Sequence, residues 1–117
     1  MAELWGTRLR AASSILCCPE GRAALAAAHR GRRLSTAGYA RAREELESLQ
    51  SELALVGIDG QLARGAGELA EAHELRGYDA VHLASALALG SDITLVSWDA
   101  DLRRAAAQRG CAVAPTD

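Results

Sequence analysis

Lysine and phenylalanine are absent from these 117 residues, and aromatic side chains make up only 3% of them. A core without phenylalanine has to be built from Leu, Val, Ile and Ala, small side chains that suit close packing of helices on a sheet. No apolar run approaches the ~20 residues of a membrane span, and the N-terminus lacks a basic-then-apolar export signal. A soluble, cytoplasmic protein is therefore expected, with no membrane partner. Cysteine is sparse as well. Cys17, Cys18 and Cys111 are odd in number and form no Cys-x-x-Cys pair, so a zinc site is disfavoured and reduced, core-packed thiols are expected.

The missing lysines leave arginine as the carrier of positive charge, which fits a GC-rich coding bias. Its distribution is uneven. Residues 1–43 hold eight Arg against Glu3 and Glu20, a net of +6, and the remainder holds five Arg against thirteen acids, a net of −8. A basic half beside an acidic half suits a phosphate-guiding surface next to a cation site, and equally two solvated faces of opposite sign.

The length fits one compact domain, residues 1–117, without internal repeat or linker. Residues 3–10 read as a short helix. Residues 11–18 read as a buried strand stopped by Pro19, which together with Glu20 suits the start of a helix running to about His29 and closing at Gly31. A longer helix is expected over Thr36–Glu52 and a strand over Leu53–Ile58. Asp59 then caps a helix bearing Leu62, Ala66, Leu69, Ala70 and His73 at helical spacing. A break at Arg76-Gly77 precedes an apolar helix opened by Asp79. A strand over Ile93–Ser97, a helix over Ala100–Arg109 closed by Gly110, and a short strand over Cys111–Ala114 complete the pattern. Short apolar strands alternating with helices predict an α/β fold, a parallel sheet flanked by helices.

Three acids fall where such a sheet binds ligands. Glu20 and Asp99 follow the carboxyl ends of strands, and Asp79 opens a helix apolar enough to be buried. Each also reads as a helix cap or first-turn dipole partner. Spacing leaves both readings open, including an unrelated α/β domain with three capping acids.

The local sequence separates them. Leu75-Arg76-Gly77-Tyr78-Asp79-Ala80-Val81-His82-Leu83-Ala84-Ser85-Ala86 resembles the PIN-domain segment in which a leucine-arginine-glycine run leads into Asp-Ala-x-His-Leu-Ala-x-Ala. Leu95-Val96-Ser97-Trp98-Asp99-Ala100-Asp101-Leu102 is similar to the family's strand ending in Ser/Thr-x-Asp. Ser13-Ser14-Ile15-Leu16-Cys17-Cys18-Pro19-Glu20 resembles the segment that carries the family's glutamate. The blocks keep the family's order and distances over nearly the whole chain.

The resemblance is to PIN-domain ribonucleases of the VapC toxin type. It implies a PIN-like three-layer sandwich in which acids converge at one end of the sheet and hold Mg²⁺ or Mn²⁺. Carried over by motif, Glu20, Asp79 and Asp99 are both the catalytic residues and the metal ligands. Ser97 matches the supporting hydroxyl, Asp101 is a candidate extra acid, and His82 packs its helix. Hard cations take carboxylate and water oxygens and need few protein ligands. The implied function is an endoribonuclease of a type II toxin–antitoxin system that hydrolyses RNA phosphodiesters through metal-activated water. The implied partners are RNA, a VapB-like antitoxin and a second copy of the chain.

The sequence departs from the family at its beginning. PIN domains open with a strand ending in aspartate, whereas Met1-Ala2-Glu3-Leu4-Trp5 resembles the helix that follows it. The domain is thus expected to be N-terminally truncated, without its first strand. The alternative function is a catalytically impaired PIN-fold remnant that serves as an antitoxin- or RNA-binding scaffold.

Overall fold

A computed structural model describes residues 12–90 and 92–116. The helix expected over residues 3–10, together with Glu3, lies outside them. The chain forms two compact units, Met1–Leu55 and Val56–Asp117.

In the first unit, strand β1 (Ala12–Ser14) leads into helix α1 (Cys17–Arg30), and helix α2 (Thr36–Ser51) leads into strand β2 (Ala54–Val56), which pairs with β1. The strand expected through residue 18 is shorter than its apolar run. The Oγ of buried Ser14 accepts the Leu16 N–H at 3.3 Å, the chain turns there, and Cys17 and Cys18 become the first residues of α1. Pro19 and Glu20 remain in its first turn. Cys17 and Cys18 are half-buried, not core residues, and burial is the main cause that pushes the Cys17 thiol above its ordinary pKa. The Ser35 side chain caps α2 by accepting the Gly38 N–H at 3.0 Å.

The two helices run antiparallel. Gln50 Nε2 donates to the Cys17 carbonyl (2.9 Å), Arg22 faces Glu47 (3.5 Å), and the His29 ring stacks on Tyr39 (4.7 Å between centroids). Glycine at position 21 allows this approach, since a Cβ there would meet Leu46 Cδ2 at 2.8 Å.

The second unit contains helices α3 (Gly60–His73) and α4 (Gly77–Ala88), strand β3 (Thr94–Val96), helix α5 (Ala100–Gln108) and strand β4 (Ala112–Ala114). Asp59 caps α3, its carboxylate accepting the Leu62 N–H at 2.8 Å. Strands β3 and β4 pair in parallel, Leu95 opposite Val113, with α5 as the crossover. The core is a cluster of Leu and Ala: Leu69, Leu83, Leu95 and Leu102 interlock with Ala66, Ala80, Ala84, Ala105 and Ala106. Of the expected Leu, Val, Ile and Ala, the buried cluster takes Leu and Ala, with Val81, Ile93 and Val113 packed at its edge, and alanine on facing helices lets α4 lie close to α3 and α5. Gly110 closes α5 at φ 86°, a left-handed conformation that glycine adopts without steric cost.

Leu83 is fully buried and Leu49 is exposed. Leu83→Ala is expected to cost about 2–5 kcal/mol of stability in urea denaturation, and Leu49→Ala under about 0.5 kcal/mol.

Candidate active site

The site in the second unit is assembled from two junctions. In the first, α3 ends at Glu74 in a left-handed conformation (φ 55°), and α4 starts three residues later. Asp79 is therefore the third residue of α4 and not the residue that opens it, as its spacing had suggested. Arg76 stands at the N-cap position, with no side-chain cap of its own. Asp79 is buried beside Ala80 and Leu83, so its carboxylate needs a partner other than water. That partner is Arg76, whose Nε donates to Asp79 Oδ2 at 3.1 Å.

The second junction lies beyond the carboxyl end of β3, where open parallel sheets place their ligands. Ser97 continues the ladder by donating its N–H to the Ala114 carbonyl (3.0 Å). Its Oγ accepts the Asp99 N–H at 3.1 Å, so Ser97 supports the acid through the backbone. Arg103 braces the same turn, reaching the carbonyls of Ser97 (2.8 Å) and Pro115 (2.7 Å). Asp99 uses its two oxygens differently. Oδ2 caps α5 by accepting the Leu102 N–H at 2.9 Å, and Oδ1 faces Arg76 Nη2 at 4.0 Å.

One guanidinium thus spans two carboxylates from different elements. The hydrogen bond to Asp79 is the first cause holding the Arg76 pKa above its usual value, followed by the charges of Tyr78 and Asp79. The Arg76 side chain is 67% exposed, whereas Asp79 is only 11% exposed. The acid is buried and the base lies mostly in water. Glu74, Leu75, Arg76, Asp79, Asp99 and Asp101 line a cleft of about 380 Å³, in which four carboxylates outnumber one arginine.

The other predicted residues are distributed as follows. Asp101 lines the cleft but pairs with Arg104 at 2.8 Å, as a solvated first-turn acid does. Glu20 stands in the first turn of α1, in the first unit. His82 is half-buried on α4. Among the described residues, no group of three or more His, Cys, Asp or Glu gathers as a metal-binding cluster. The two carboxylates Asp79 and Asp99 are a hard-oxygen pair, which suits a strongly hydrated divalent cation better than a soft one. Arg76 and Arg103 were not singled out from the sequence. An arginine three residues before a buried helical acid is the signal that points to the first of them.

Comparison with known proteins settles the family. The PIN domain profile matches residues 11–108. This chain belongs to the PIN-domain family. It is 45% identical over 115 residues to Ribonuclease VapC45 and to Ribonuclease VapC49, both of Mycobacterium tuberculosis, and each match covers 97% of this chain and 80% of the relative. It is thus a PIN domain of the VapC type. No solved structure matches it significantly. No described helix is long and apolar enough to cross a membrane.

The two tasks of Asp99 separate by substitution. Asp99→Asn keeps a capping oxygen and should hold stability within a few tenths of a kcal/mol, while Asp99→Ala should lose about 1 kcal/mol. Thermal denaturation of both variants measures the difference.

Proposed function

We propose that this chain is a divalent-metal-dependent endoribonuclease, the toxin of a type II toxin–antitoxin pair, using Mg²⁺ or Mn²⁺. The observation that carries the proposal is the convergence of Asp79 and Asp99 on one positive charge at the carboxyl end of β3. Two relatives at 45% identity named as ribonucleases support it. Glu20 matches the family's glutamate by motif alone, and the family match running through both units supports a single PIN domain.

A bound divalent ion would supply charge neutralisation at the scissile phosphate and acidify a water for attack. The chain's own residues do the rest. Buried Asp79 and the backbone-held Asp99 keep their oxygens fixed, so little ordering is left for the moment of binding. Arg76 yields its place between them and, on its long exposed stem, turns to a phosphate oxygen, for which a guanidinium is well suited. Ser97 and Arg103 hold the turn that carries Asp99.

The arginines of the first unit suit the same substrate. Residues 21–43 hold six Arg and no acid. Among the described residues, Arg30, Arg32 and Arg33 at the tip of the α1–α2 hairpin form no ion pair. Such a surface attracts a polyanion. With this function come a cytoplasmic location, a VapB-like antitoxin that masks the acidic cleft, and a homodimer.

The deciding experiment is cleavage of single-stranded RNA by the purified chain with Mg²⁺ or Mn²⁺, with EDTA, and with Asp79→Asn. Loss of one outer-shell partner typically costs 10–100-fold at a metal site, so loss of a ligand should cost at least about 100-fold. EDTA should abolish cleavage. Cleavage that persists with EDTA or in Asp79→Asn would refute the proposal, and absence of cleavage by the parent chain would favour the non-catalytic scaffold.

A further inference from the structure

This protein contains only two tryptophans and two tyrosines. Two of these four, Tyr78 and Trp98, each stand one residue before an acid of the cleft, Asp79 and Asp99 respectively. Both rings face solvent. Trp98 is 76% exposed, the most exposed of the large apolar side chains among the described residues, and Tyr78 is 43% exposed. An indole held in water forgoes the gain that burial of an apolar side chain brings. The core next to it is filled instead by leucine and alanine.

The backbone fixes where Trp98 emerges. It lies between Ser97, tied to β4 by its N–H and to Arg103 by its carbonyl, and Asp99, tied to α5 by its capping carboxylate. The turn is held on both sides of the indole while the ring itself stays uncovered. On the facing junction, Tyr78 carries the Arg76 guanidinium 5.2 Å over its ring, and that same guanidinium contacts both carboxylates. Tyr78 is thus linked to both acids through Arg76, and Trp98 is the chain neighbour of Asp99. Successive bases of RNA lie beside their phosphates, and unpaired bases stack on aromatic and guanidinium planes.

We propose that the exposed Trp98 ring, beside Asp99, and the Tyr78–Arg76 pair, beside Asp79, are stacking surfaces for unpaired RNA bases next to the scissile phosphate. The subsite rests on the ribonuclease reading and sharpens it, because a base inside a duplex offers no free face. Duplex RNA is then bound by its phosphates alone.

The test is binding of a fluorescein-labelled 12-nucleotide single strand, and of the same sequence as a duplex, to the full chain in EDTA, read by anisotropy. Trp98→Ala should weaken single-strand binding about 10-fold or more, a stack being worth roughly that much or more. Duplex binding and melting temperature should stay as in the parent, since the ring is exposed. Trp98→Phe should restore most of the affinity. With Mg²⁺ or Mn²⁺ added, the loss in Trp98→Ala should appear mainly in KM, not in kcat.

Unchanged single-strand affinity in Trp98→Ala would overturn the subsite and leave the indole as a protein-docking residue. Equal loss on single strand and duplex would overturn it too, as would a parent chain that binds no RNA. Selective single-strand loss in a chain that cleaves nothing would uphold the subsite while refuting the nuclease.

Discussion

A carboxylate buried at the start of a buried helix must meet positive charge, and around Asp79 this demand organises the second unit. Asp79 is buried but for the edge it presents to the cleft, so water alone solvates its charge poorly. Arg76 reaches it from three residues upstream. Because the guanidinium is broad and mostly in water, it reaches Asp99 on the other junction at the same time. The packed alanine-rich core fixes the two helix starts, and the charge between them is supplied from the solvent side. Such an arrangement buries the Asp79 acid and leaves its base mostly in water.

The same economy governs Asp99. One oxygen holds the first turn of α5 and the other faces the cleft. The capping role of this acid is carried by Oδ2, which leaves Oδ1 as the atom on which the proposed ligand role would fall. Ser97 and Arg103 add no group to the cleft themselves. They hold the turn that carries Trp98 and Asp99.

Much of this was legible in the residues, and where it was not the causes are local. Capping by Asp59 and Asp99 followed from acids placed before apolar helical patterns, and the β3–α5–β4 unit followed from the apolar run, the helix and Gly110. The α/β class held. Strand lengths were overestimated, because an apolar run such as Ala11–Cys18 does not reveal that the Ser14 hydroxyl will turn the chain. Asp79 was displaced from cap to third helical position because Glu74 takes the left-handed conformation and ends α3 before Gly77 is reached. Arg76 escaped notice because a helix break was sufficient explanation for Arg-Gly. That Trp98 would be exposed was not legible at all, since burial of a single aromatic depends on packing that no periodicity encodes. The PIN motif supplied what spacing left open between caps and ligands, and the family match bears out that resemblance.

The central claim is that Arg76 occupies the place of a cation between Asp79 and Asp99. Calorimetric titration of Mn²⁺ into the parent chain and into Arg76→Gln, without RNA, tests it most directly. Removal of the competing charge should tighten Mn²⁺ binding several-fold, with the fold unchanged by circular dichroism. Equal or weaker binding in Arg76→Gln, or no binding by either protein, would contradict the account.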